Sequence, residues 1–99
     1  MNNDYPKIEE LIKLYKSSSD IVRSDAIAQL IELFDPLIQS VIDKYINYVL
    51  GANREDLYNH AVLIFIELAD EFDLAKTIYF THYINHQFEH KFTDHIGEI

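Results

Sequence analysis

His82, His86 and His90 stand four residues apart, a spacing that lets two neighbouring imidazoles share one ion on a helix face. Geometry limits the row. Residues eight apart lie about 12 Å apart along a helix axis, so His82 and His90 cannot both reach an ion centred on His86. A two-histidine site with Glu89 is the most it offers, and a solvated or partner-facing histidine row is the alternative. Tyr79 and Tyr83, on the same segment, can stack a base while His82, His86 or His90 donates hydrogen bonds. For Phe80, Phe88 and Phe92 the competing role is simple core filling. The chain has no nucleophile elbow and no histidine pair around a glutamate of the zinc-protease kind. No catalytic residue, metal or cofactor is expected, and enzyme is the least supported class.

A second set of residues is suited to binding. Glu55, Asp56, Glu67, Asp70, Glu71 and Asp73 follow one another with no basic residue after Arg54. Such a run is by default a solvated face, yet an acidic surface also steers a basic protein partner. Between these acids, Val62-Leu63-Ile64-Phe65-Ile66 places five apolar residues in succession, which at about 100° each encircle a helix. Either neighbours enclose that helix on nearly every side or part of it meets a partner. Leu63 discriminates, because it falls among Asp56, Asn59, His60, Glu67 and Asp70 on the otherwise polar face. A lone exposed leucine is common, but one ringed by polar groups can also anchor an interface.

The rest of the composition bounds what can position these groups. Ninety-nine residues, 48% of them hydrophobic, suffice for a single domain with one core. A formal net charge of −9 argues against holding DNA through phosphate contacts, which needs clustered Lys and Arg. No cysteine, no long apolar run and no leader-like start point to a soluble cytoplasmic protein without membrane contact. Two glycines and two prolines leave no room for a Gly-rich phosphate loop.

The periodicity is helical throughout. Ile8, Leu11, Ile12 and Tyr15 behind Pro6 predict a helix over about 6–17, with Glu9 and Glu10 near its positive end. Ser17-Ser18-Ser19-Asp20 is a break, and Ile27, Leu30, Ile31 and Phe34 behind a Ser24 N-cap predict a second helix near 25–34. Asp35 as N-cap, Pro36 at the first helical position and Gly51 as the stop predict a third over 36–50. Asn53 caps a fourth that runs to Phe72, and Phe80, Ile84, Phe88 and Phe92 line a fifth over 78–95. The expected fold is therefore all-α, a compact bundle of about five helices.

The order of these features resembles region 2 of bacterial sigma factors. Asp56-Leu57-Tyr58-Asn59-His60, an apolar run and Ala69-Asp70-Glu71-Phe72-Asp73 are similar to the family's Asp-Leu-x-Gln-Glu helix and its small, acidic, Phe ending. Leu33-Phe34-Asp35-Pro36-Leu37-Ile38 upstream and Phe80-Thr81-His82-Tyr83-Ile84 downstream extend the resemblance over about 24–96. It implies the sigma region 2 fold and docking on the clamp helices of the largest RNA polymerase subunit. Asp56, Asn59, His60, Leu63, Glu67 and Asp70 would make that contact.

The chain departs from the family in two places. Asn59 and His60 replace the usual Gln and Glu, removing a charge that pairs with a basic clamp. His86-Gln87 and Glu89-His90 stand where primary sigma factors hold paired tryptophans, then Arg and Gln, for promoter melting and recognition. Weak DNA contact through Tyr79, Tyr83, His86, Gln87 and His90 is thus expected only inside a polymerase complex, with Glu89 and Asp94 repelling phosphates against Lys91 alone. No helix-turn-helix follows Ile96, so a separate sigma region 4-like protein is expected to read the promoter. A decoy or anti-sigma-type inhibitor, or a helical interaction module without polymerase contact, is the alternative.

Overall fold

A computed structural model describes residues 4–97. Five α-helices and no strand occur among them: α1 (Tyr5–Ser17), α2 (Asp20–Leu33), α3 (Asp35–Tyr45), α4 (Arg54–Glu71) and α5 (Phe80–Ile96). No helix among the described residues is long and apolar enough to cross a membrane.

α1 begins at the expected place because Pro6, which has no N–H to satisfy, sits in its first turn. It buries Ile8, Leu11, Ile12 and Tyr15, largely against α2. α2 starts five residues earlier than the sequence pattern predicts, at Asp20 behind Ser19, and Ser24 lies inside it. The apolar period hides this turn because Ile21 is 85% exposed and Val22 is also exposed. Those two side chains project beyond the core.

α3 is shorter than the predicted 36–50. It ends at Tyr45, and a 3-10 turn over Ile46–Tyr48 carries the chain outward. Ile46 and Val49 still pack on the core, so the apolar pattern persists through a change of helix type. Gly51 then takes φ +80°, a left-handed conformation that residues with a Cβ adopt only with strain. α4 opens as the sequence predicts, with Asn53 Oδ1 accepting the Asp56 N–H at 2.8 Å and Glu55 and Asp56 in the first turn.

α4 is the central element, flanked by α3 and α5 and touching α2. Leu57, Ala61, Ile64, Phe65, Leu68 and Ala69 are buried on it, and Val62 and Ile66 are half-buried. The aromatic centre of the core spans four segments. Phe80 lies edge-on to Phe34, Phe65 and Phe72, at ring-centre distances of 5.9, 5.9 and 5.1 Å. Edge-to-face packing sets the positive ring edge against the negative face and adds about 0.5–1.5 kcal/mol per pair to the burial itself.

α5 is fixed at its start by a cap from a distant part of the chain. The Phe80 N–H donates to Glu9 Oε2 of α1 at 2.8 Å, meeting one of the open donors of the first turn. All buried side chains of the core are apolar or tyrosine, with no charged group among them.

Candidate protein-docking surface

The same packing that buries three sides of α4 determines what its fourth side presents. Asp56, Asn59, Leu63 and Glu67 follow at intervals of three or four and share that face. All four are exposed, Leu63 at 58%. Among the described residues, none of the three polar side chains here makes an intramolecular hydrogen bond or ion pair. The result is a leucine standing in an unpaired polar and anionic ring.

The two other residues of the predicted set are engaged inside the molecule. Asp70 Oδ1 accepts from the Tyr15 hydroxyl at 2.5 Å and from Arg23 Nη2 at 3.1 Å, and Lys16 Nζ donates to the Asp70 backbone oxygen. The Arg23 guanidinium also lies over the Tyr15 ring, 4.3 Å from its centre. Burial first, and the Asp70 carboxylate second, raise the Tyr15 hydroxyl above its ordinary pKa. Asp70 thus ties the end of α4 to α1 and α2. His60 is half-buried and faces His95 of α5, with Nδ1 and Nε2 3.1 Å apart.

The surface extends further than the sequence pattern suggests. Leu63 lines a shallow groove with Val49, Leu50, Asp56, Asn59 and His60, and Leu50 is fully exposed. Leu50 escapes a sequence reading because a helix to residue 50 would make it one more periodic position. A second apolar groove adjoins the first across Val49 and Leu50, lined also by Tyr45, Tyr48 and Ile96.

The residues predicted for weak DNA contact do not form one open platform. Tyr79 is 55% exposed, but its ring stacks parallel to Tyr5 at 5.8 Å and meets His82 edge-on at 5.9 Å. Tyr83 is half-buried against Phe72 at 5.0 Å, and burial followed by nearby Glu71 raises its hydroxyl pKa. His86, Gln87 and His90 are exposed, and His90 Nε2 lies 3.5 Å from Asp94. Lys91, the only Lys or Arg of α5, is paired with Glu71 at 3.1 Å. Glu89 is held by Lys44 at 2.8 Å and the Tyr45 hydroxyl at 2.6 Å. Among the described residues no three histidine, cysteine or carboxylate side chains come together as a metal centre.

Compared with known family models, curated proteins and solved structures, the chain matches none.

Proposed function

We propose that this chain is a small sigma region 2-like transcription regulator that grips the clamp helices of RNA polymerase's largest subunit with the exposed face of α4. Leu63 anchors the contact in a pocket between the clamp helices, and Asp56 and Glu67 steer and orient it toward basic groups. The observation that carries this reading is Leu63, 58% exposed on an otherwise well-packed helix and ringed by Asp56, Asn59 and Glu67. An apolar anchor with a polar rim is how protein interfaces concentrate their binding energy. A solvated face needs no leucine there.

Promoter DNA is contacted only within the polymerase complex, and a separate sigma region 4-like protein supplies the sequence reading. What supports this division is that Lys91 is taken by Glu71, so α5 offers phosphate no free ammonium or guanidinium. The same observation, with Tyr83 packed on Phe72, favours as a second reading a decoy that occupies the clamp and inhibits transcription. Two measurements test the proposal. A tagged chain should retrieve polymerase from its host, and retrieving neither polymerase nor a sigma-like partner would refute it. In transcription reactions with purified components, an activator raises output from a specific promoter, whereas a decoy lowers output from ordinary promoters.

A further inference from the structure

His60 on α4 and His95 on α5 meet across the helix pair, with Nδ1 and Nε2 3.1 Å apart, ring centres 4.9 Å apart and planes tilted by 54°. A head-on hydrogen bond between two neutral imidazoles would align both ring axes with the nitrogen–nitrogen line. Ring centres would then stand about 5.4 Å apart, the nitrogen separation plus two half-rings. The observed centres are closer, so at least one ring axis is turned off that line.

As it stands the contact is a bent hydrogen bond between the two rings, and two neighbouring ligands of one ion are likewise turned off that line. With metal–nitrogen bonds of about 2.0–2.1 Å at the tetrahedral angle, the nitrogens stand about 3.3 Å apart and the ring centres about 5.2 Å apart, so the pair has to open by only a few tenths of an ångström to hold one ion. Both histidines are half-buried, and they project from helices whose facing sides hold Ala61, Ile64 and Phe92 in the core. Ordering two imidazoles is a main entropic cost of chelation, and here packing has already met much of it. Imidazole nitrogen suits zinc, nickel and copper over magnesium or calcium.

We propose that His60 and His95 form a two-histidine site for a late first-row divalent metal ion, zinc foremost. The ion joins the C-terminal part of α5 to α4 beside the groove of Leu50 and Leu63. Its remaining positions belong to water or to a donor brought by a partner. This inference is independent of the polymerase reading, since it concerns only how two helices of this chain share an ion.

The test is titration of the untagged chain with zinc chloride, followed by calorimetry and by thermal unfolding with and without chelator. One zinc per chain and a raised Tm are expected. His60→Gln and His95→Gln should each weaken binding by at least about tenfold, because each removes one of two protein ligands. The triple variant His82→Gln/His86→Gln/His90→Gln should bind as the wild type does. Absence of zinc binding would overturn the proposal, as would undiminished binding by a folded His60→Gln or loss of binding in the triple variant. Where a histidine variant fails to fold, imidazole NMR of the wild type decides: zinc must shift His60 and His95 first, and shifts confined to the α5 row would refute the site.

Discussion

Leu63 and Asp70 lie two turns apart on α4 and show how the same residue pattern leads to two different tasks. Leu63 has no neighbouring element over it, whereas Asp70 falls where α1 and α2 converge and is met by Tyr15 and Arg23. Helical spacing puts both on one face but does not reveal which end of that face a neighbour covers. Glu89 makes a comparable internal anchor on α5 and carries a testable pH signature. The Lys44 ammonium first, and the Tyr45 hydroxyl second, hold its carboxyl below the ordinary 4.5. A carboxylate with a depressed folded pKa binds fewer protons when folded. Its stabilisation is therefore present above the ordinary value and is lost as pH falls through the folded one. Urea unfolding between about pH 6 and 3 should show stability declining across that window, and Glu89→Gln should shallow the decline. An unchanged slope in the variant would mean that the Lys44–Glu89–Tyr45 cluster contributes nothing in solution.

At the scale of elements, α4 organises the molecule and was the most readable from sequence. Asn53, the acidic first turn and the apolar pattern to Phe72 announce it, one residue past its end at Glu71, and the cap forms as the residue types require. Asn53→Ala should cost about 1 kcal/mol in denaturant unfolding, since it removes the acceptor for the Asp56 N–H. A cost near zero would show that water replaces the cap. All five helices were legible in type because each buries a periodic stripe, and the boundaries failed where burial and helix type part company. The first turn of α2 buries neither Ile21 nor Val22, so period gave no sign of it. The end of α3 keeps packing as it tightens into a 3-10 turn, so period did not register the change. The Glu9 cap on α5 and the His60–His95 pair join positions far apart in sequence, and only tertiary geometry brings them together.

Across the whole molecule, charge decides what kind of partner the surface suits. Seventeen acidic residues face eight basic ones, and Lys16, Arg23, Lys44, Arg54 and Lys91 are all engaged internally. The acids around Leu63 have no such partners, so the outward field over the α4 face is more anionic than the sequence total alone conveys. A surface of that kind repels nucleic acid and attracts a basic helical partner, the more so at low ionic strength.

The decisive measurement for the α4 face is the binding of RNA polymerase clamp helices to the wild-type chain and to Leu63→Asp. Saturable binding by the wild type is expected. Leu63→Asp should lose about thirtyfold or more, the size expected when a central apolar anchor is lost, with helicity and Tm unchanged. No binding by the wild type, or equal binding by a folded Leu63→Asp, would contradict the proposed docking.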